Sequence, residues 1–319
     1  MAKSSAIKGP TAIFSSRNLI IAGAVWAIAA LLFFIFFSVS PSGEPRPLWY
    51  SIGTSVFEYV AFSGAAIVCF RNWRSKQILS GRSVWLAIGA GMLCYFIGGL
   101  FFSYWELGLQ KEPDVSPGDV FYVATYVFLS VGMLLAVLPR RLNLEIWQWA
   151  AVGVIGVVGA VFSFSPLIAG GGGEEGAVEA AVEATAEAAT TAVSTAPAWA
   201  VQAEELLNPF ADIILNLYTV GDIVLLVLAS ALLLAFWGGR SAQSWRMIAA
   251  AAISLYIADM WFNYAINNIA NYESGSLLEG FWIFSGGLFG IGAVLEFDLS
   301  TRSRRSSRRR SSSASSAVS

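Results

Sequence analysis

The chain has 319 residues, of which 56% are hydrophobic and 13% are charged, with a formal net charge of -2 and a mean hydropathy of +0.66. This composition excludes a soluble domain, since soluble proteins carry about 25% charged residues. The chain has no histidine, no lysine within a long apolar stretch and no nucleotide-binding or metalloprotease motif, so His-ligated haem, a retinal Schiff base and the common soluble active sites are excluded and no cofactor is assigned.

Eight continuous apolar stretches are long enough to cross a membrane, which requires about 20 residues for a hydrocarbon core of roughly 30 Å. Continuous stretches predict helices, because the strands of a membrane barrel would alternate polar and apolar residues. The predicted spans lie at about 18–40, 48–70, 83–105, 118–138, 146–169, 209–237, 246–268 and 278–297. We therefore expect an all-α, polytopic membrane protein with eight transmembrane helices.

The basic residues predict how these helices are oriented. If the N-terminus is cytoplasmic, every lysine and arginine except Arg46 and Lys111 falls on the cytoplasmic side, as the positive-inside rule requires. Both termini are then cytoplasmic, in a prokaryotic plasma membrane or another internal membrane. The predicted regions are a cytoplasmic N-terminus (1–17), a first membrane half with the first five spans, of which spans 1–4 are the repeat unit (18–169), an extracytoplasmic low-complexity Ala/Glu linker (170–205), three spans that complete the second half (206–299) and a disordered basic Ser/Arg tail (300–319).

An internal repeat is suggested by the similarity of residues 88–134 to residues 248–294, which are related by a shift of 160 positions without a gap and share eight of 47 residues. Each copy predicts an apolar helix, a short polar hairpin and a second apolar helix with an acidic residue in its first turn. That residue is Asp119 in one copy and Glu279 in the other. Four spans per half predict two like-oriented four-helix halves, related by an axis along the membrane normal.

The hairpin before the fourth span contains a helix-start signal. Ser116 suits the N-cap, Pro117 the first helical position, and Asp119 the third, from which its carboxylate reaches back to the cap. Asp119 and Tyr122 are three residues apart and share one face of the helix.

The segment SPGDVFYVATY, residues 116–126, resembles the P-S-D-x-F-Y-L-x-F-Y segment of the polytopic membrane regions that precede output domains in some bacterial diguanylate cyclases and histidine kinases. The resemblance carries over Asp119, Phe121, Tyr122 and Tyr126 as the acidic and aromatic positions of that motif. It implies a sensory membrane module. Because no GGDEF or kinase sequence follows, we expect the module to stand alone and to act through a protein partner.

Carboxyl groups occur deep within three predicted spans, at Glu58, Asp222 and Asp259. A carboxyl group in the bilayer core is costly and often marks a functional site, although polar residues also join helices to one another. Asp259, Asn263 and Asn267 recur at every fourth position and form one polar stripe. We expect the three carboxyls to converge in the outer half of the membrane, with Asn263 and the Tyr104/Trp105 aromatics at the mouth of the pocket. The candidate ligand-binding residues are Glu58, Asp222, Asp259, Asn263, Tyr104, Trp105, Asp119 and Tyr122.

Three classes of function fit these observations. The first is a non-enzymatic, sensor-like or partner-binding module with an outward-facing polar pocket. The second is a small transporter or proton-coupled carrier, and the third is an assembly or scaffold subunit of a membrane complex. The expected partners are the lipid bilayer and a membrane or cytoplasmic protein, while the basic tail is predicted to contact anionic lipid. No nucleic-acid partner is expected.

Overall fold

The computed structural model describes residues 15–39, 46–109, 111, 115–138, 144–170, 196–236, 242–269 and 272–316, and all regular secondary structure in these ranges is helical. The α-helices are α1 (Ser16–Phe37), α2 (Leu48–Arg74), α3 (Arg82–Ser103), α4 (Pro117–Val137), α5 (Ile146–Gly170), α6 (Ala198–Leu207), α7 (Ala211–Ala235), α8 (Ala242–Asn268) and α9 (Gly280–Ser316). Short helices of other types are a π-helix at Tyr104–Gly108 and 3₁₀ turns at Asn208–Phe210 and Leu277–Glu279. With α6 and α7 taken as one span, the described residues contain eight helices long and apolar enough to cross a membrane, so the predicted all-α polytopic class is confirmed.

The structure differs from the sequence prediction at two places. The sixth span begins at Ala198, so the predicted low-complexity linker at 170–205 is helical where it joins α7, while its residues 171–195 lie outside the described part. The tail at 300–319, which was predicted to be disordered, is helical as far as Ser316, where α9 ends. Extending an existing helix avoids the cost of nucleation, and arginine is a good helix former. The predicted N-terminal segment 1–17 lies almost wholly outside the described residues.

Six helices form a closed ring. Each of α2, α3, α4, α7, α8 and α9 packs against the next in that order, and α9 packs against α2 to complete the circle. The α1 helix packs outside the ring against α9 and α2, while α5 packs outside it against α7 and α8. This arrangement leaves a central axis that all six ring helices face.

The directions of the helices follow from which residues meet. Beta carbons built at Gly286 and Gly290 would contact Ala61 and Ala65 respectively, so α9 and α2 run parallel. The α4 and α7 helices also run parallel, because Tyr218 bonds to Asp119 near the start of α4 and Gly221 meets Tyr126 further along. Sequence neighbours in the ring run antiparallel, as hairpin partners must.

Several contacts recur at positions 160 apart. A β-carbon built at Gly132 would lie 2.7 Å from Cγ1 of Ile88, and one built at Gly292 would lie 2.8 Å from Cδ1 of Ile248. The α3–α4 and α8–α9 pairs therefore approach closely at equivalent points, where glycine admits the neighbouring isoleucine. Trp85 and Trp245 are also 160 positions apart, and both are fully buried.

Those two tryptophans lie near the starts of α3 and α8, on opposite sides of the ring. Their ring centroids are 6.0 Å apart, and Phe236 stacks on Trp245 at 5.7 Å. They belong to a buried apolar cluster, which includes Ile88, Met92, Leu129, Met133, Leu225, Leu232, Ile248 and Phe289. The half of the bundle next to the predicted cytoplasmic side, called the inner half below, is thus filled with apolar side chains.

Candidate functional site

The outer half of the ring has a polar centre, and Asp259 of α8 is its best-connected residue. The Tyr126 hydroxyl, from α4, donates to Oδ2 of Asp259 at 2.8 Å, and the Trp282 indole N–H, from α9, donates to Oδ1 at 2.7 Å. One carboxyl group thus accepts hydrogen bonds from two other ring helices, and its side chain still retains part of its surface exposed.

Asp222 of α7 lies beside Asp259. Asp259 and the Tyr126 hydroxyl are the groups that act most strongly on its carboxyl group. The residue is only 2% exposed, and its Oδ1 has no hydrogen-bond partner. The pair therefore offers one buried carboxyl oxygen that is free to accept a hydrogen bond.

Glu58 of α2 faces the same centre from the other half of the ring. Tyr95 of α3 and Tyr122 of α4 are both electrostatic neighbours of its carboxyl group. Its other electrostatic neighbours include Glu279, Asp259 and Glu106, which belong to three other parts of the chain. Glu58 therefore faces the centre of the ring rather than lipid, and it too is partly exposed.

Aromatic side chains fill the space between these acids. The Tyr95 and Tyr122 rings meet edge to face at 5.0 Å, and the Tyr126 and Tyr218 rings do so at 5.8 Å. We call the whole group the acid–tyrosine cluster. Its members are Glu58, Tyr95, Tyr122, Tyr126, Tyr218, Asp222, Asp259 and Trp282, so each of the six ring helices contributes at least one.

Four of these residues were not among the predicted site residues, namely Tyr95, Tyr126, Tyr218 and Trp282, although Tyr126 was carried over as an aromatic position of the resembled motif. Tyr95 lies in an apolar helix without a motif, and no local signal marks it. Tyr218 precedes Asp222 by four positions on one helix face, which is a usable signal. Trp282 falls on Tyr122 when the chain is shifted by 160, so the suspected repeat also pointed to it.

Asp119 and Glu279 act as helix caps at the outer end. Oδ2 of Asp119 accepts from the backbone N–H of Ser116 at 2.7 Å, as the helix-start signal predicted, and its Oδ1 accepts from Tyr218 at 2.7 Å. Glu279 accepts the backbone N–H of Gly275 at 2.6 Å and the hydroxyl of Tyr272. Burial, reinforced by the Glu279 carboxylate, raises the pKa of Tyr272 to about 12, so this phenol keeps the proton that it donates.

Three predicted residues lie away from the cluster in the described part of the chain. Tyr104 is exposed and stacks on Trp199 of α6 at 5.6 Å, whereas Trp105 is buried and its indole N–H donates to Glu204 of α6 at 2.7 Å. Both side chains hold α6 against the π-helix, so their role is structural packing rather than the mouth of a pocket. Oδ1 of Asn263 accepts from Asn267 at 3.1 Å, one turn along α8. None of these hydrogen bonds reaches the three carboxyls.

Among the described residues, no group of three or more cysteine, aspartate and glutamate side chains is placed to hold an ion. Fold and site together define an integral membrane protein built on a six-helix ring. One half of the ring has an acidic and aromatic centre, and the other half is filled by the apolar cluster around Trp85 and Trp245. Comparison with protein-family models, curated proteins and solved structures finds no match.

Proposed function

We propose that this chain is a non-enzymatic, sensor-like membrane module that binds a small molecule in the acid–tyrosine cluster and transmits its presence to a protein partner. One observation carries the proposal. Polar groups from all six ring helices converge at the outer half, while the inner half is filled by the cluster around Trp85 and Trp245. A ligand among these groups would contact every ring helix at once, which is the geometry that converts occupancy into helix movement.

The segment that resembles the membrane regions of bacterial signalling enzymes supports this proposal. Tyr126 donates to Asp259, Tyr122 is close to Glu58, and Asp119 accepts from Tyr218. Three of the four motif positions thus connect to cluster residues on other helices. We infer that the motif builds a ligand site, and that the contacts recurring at 160 positions reflect two like-oriented repeat halves.

The orientation belongs to the same proposal. The basic residues of the sequence favour cytoplasmic termini in a prokaryotic membrane, which places the cluster toward the outside and the partner at the end near Arg74. The interaction of the tail with anionic lipid also remains a prediction, because side chains beyond Arg302 are outside the described part.

A proton-coupled carrier is the second candidate. The observation that favours it is the Asp222–Asp259 pair, because two neighbouring carboxyls deep in a membrane can accept and release a proton during transport. The apolar cluster of the inner half argues against this candidate, since a transported solute would have to pass between its side chains. A scaffold subunit is the third, in which the same polar groups serve only to hold the helices together.

The candidates are separated by purifying the full chain in mild detergent from membranes of its native host and recording its native mass spectrum. For a sensor we expect a stoichiometric protein partner and a bound small molecule. Asp259→Asn should release the small molecule and keep the partner, whereas Asp212→Asn, at an exposed position at the start of α7, should keep both.

Two outcomes would contradict the proposal. Uptake of a solute into proteoliposomes under an imposed pH gradient, without a protein partner, would establish the carrier. A partner that co-purifies without any small molecule, from wild type and Asp259→Asn alike, would establish the scaffold.

A further inference from the structure

We infer that α6 is an interfacial helix, which lies in the outer surface of the bilayer with one apolar edge inserted among the lipids. This edge consists of Trp199 and Leu206 of α6 and Phe210 of the 3₁₀ turn that follows, and we call it the α6 stripe. The partner of the stripe is thus a lipid surface. The stripe is separate from the acid–tyrosine cluster, so this partner does not depend on a ligand bound there.

The direction of α6 is fixed by its contacts with the outer end of α3. Trp199 stacks on Tyr104 at 5.6 Å, and it also meets the Trp105 ring at 5.3 Å. The Glu204 carboxylate accepts the Trp105 indole N–H at 2.7 Å and lies 3.4 Å from Nζ of Lys111. In the ring, α4 separates α7 from α3, so α6 leans over the start of α4, which it also contacts. The helix therefore lies across the outer end of the bundle.

The two sides of α6 differ in exposure. Ala200 is fully buried, and Glu204, four positions later on the same side, is turned toward α3. The stripe residues Trp199, Leu206 and Phe210 are 49%, 71% and 50% exposed, respectively. Trp199 and Leu206 are seven positions apart, which is about two turns, so they share one face of the helix. One side of α6 thus packs on protein, and another presents large apolar side chains.

Two observations identify lipid as what the stripe contacts. The stripe continues into the exposed apolar side of α7, which includes Ile213 and Leu217 and belongs to a helix that spans the membrane. Trp199 also lies beside Tyr104 and Trp105 at the outer end of the third span, where aromatic side chains settle among the lipid head groups. Apolar side chains at that depth reach the boundary between head groups and acyl chains.

The remaining exposed side of α6 is polar, as an interfacial helix requires. Gln202 and Glu205 are both exposed, and they are three positions apart on one face. A helix in the bilayer surface keeps such a face among head groups and water while its apolar face enters the lipid. A second copy of the chain on the stripe is the main alternative, and the experiment below distinguishes it from lipid.

The test places a polarity-sensitive fluorophore on Leu206→Cys and, as the matched control, on Glu205→Cys. Both are made in the full-length chain with the native cysteines replaced by serine, reconstituted at one chain per lipid nanodisc. We expect the emission of the Leu206→Cys label to shift to shorter wavelength and to lose intensity with nitroxide-labelled lipid, but not with aqueous iodide. The Glu205→Cys label should lose intensity with iodide instead, because its side chain belongs to the polar face.

Three results would overturn the inference. Quenching of the Leu206→Cys label by iodide and not by lipid would place the stripe in water. Protection from both quenchers, or a disulfide between two Leu206→Cys chains in larger discs, would show that protein covers it. Equal responses of the two labels would leave α6 without a lipid-facing side.

A second measurement decides if the chain without its native cysteines does not fold, since Cys69 is buried. A photoreactive benzophenone amino acid then replaces Leu206 or Glu205 in the otherwise unchanged chain, and mass spectrometry identifies the adducts. Lipid adducts at position 206 that are absent at position 205 support the inference. Protein adducts at position 206, equal lipid adducts at both positions, or no adduct at position 206 would overturn it.

Discussion

Asp259 allows structural and ligand-binding roles of a buried carboxyl to be separated by two substitutions. In Asp259→Asn, the amide oxygen can accept the Trp282 N–H, and the amide N–H group can donate to the Tyr126 hydroxyl or to Asp222. The hydrogen bonds at 2.7 and 2.8 Å are thus replaced rather than lost. In Asp259→Leu both donors lose their acceptor, and the larger apolar side chain offers nothing to replace it.

The expected cost follows from those two bonds. Hydrogen bonds between helices in a membrane are worth about 0.6 kcal/mol on average and up to about 1.7 kcal/mol. We therefore expect Asp259→Leu to lower the free energy of unfolding by about 1–3 kcal/mol, and Asp259→Asn to lower it by less than about 0.5 kcal/mol. If the cluster is a ligand site, Asp259→Asn should abolish the response to ligand despite its near-native stability.

The measurement is reversible unfolding in mixed detergent micelles, followed by helix content, with Tyr126→Phe and Trp282→Phe as single-bond references. Each reference removes one of the two donors to Asp259, so the sum of their costs should approach that of Asp259→Leu. The reasoning is refuted if Asp259→Asn costs as much as Asp259→Leu, or if Asp259→Leu costs nothing. An unchanged ligand response in a stable Asp259→Asn protein would reduce Asp259 to a structural role.

Two further predictions concern packing and topology. Gly118→Ala should lower the free energy of unfolding by about 1–3 kcal/mol, because the new methyl group would lie 2.9 Å from the backbone oxygen of Gly98. Gly287→Ala, with nothing within 4 Å of the new methyl group, should raise it by up to about 1 kcal/mol through helix propensity. Equal effects of the two substitutions in thermal unfolding would contradict the close α3–α4 approach. The orientation can be tested in a chain with both native cysteines replaced by serine. In intact cells, a membrane-impermeant thiol reagent should label Glu273→Cys and spare Gln77→Cys, since both positions are exposed and lie at opposite ends of the bundle. The reverse pattern would invert the predicted orientation.

The membrane spans could be predicted because each depends on local composition. Twenty apolar residues cross a bilayer in any tertiary context, and Ser116 with Asp119 forms a helix cap from residues three apart. The end of α9 at Ser316 could not be predicted in this way, because a composition typical of disorder does not show that a helix already begun can continue. Likewise α6 begins within a stretch whose alanines and glutamates suggested a linker.

The site was predictable only in part, for a related reason. Intramembrane carboxyls stand out in any sequence, so Asp222 and Asp259 could be chosen, and the structure brings them together. Tyr95 could not, because a tyrosine in an apolar helix acquires its role only from what faces it. Trp105 shows the opposite error, since an aromatic at the end of a span suggested a pocket mouth, but its indole contacts Glu204 of α6.

The contact between Trp85 and Trp245 has a mechanical consequence. These side chains join α3 and α8 across the ring near their inner ends, while Tyr95 and Asp259 lie further out on the same two helices. Because tightly packed tryptophans cannot interpenetrate, an outward tilt of either helix at its outer end would turn about this contact, which then serves as a fulcrum. The short segments beyond it would swing the opposite way. A ligand that spreads the outer ends by an ångström would thus draw the inner ends of α3 and α8 toward each other, at the surface where a partner would read the change.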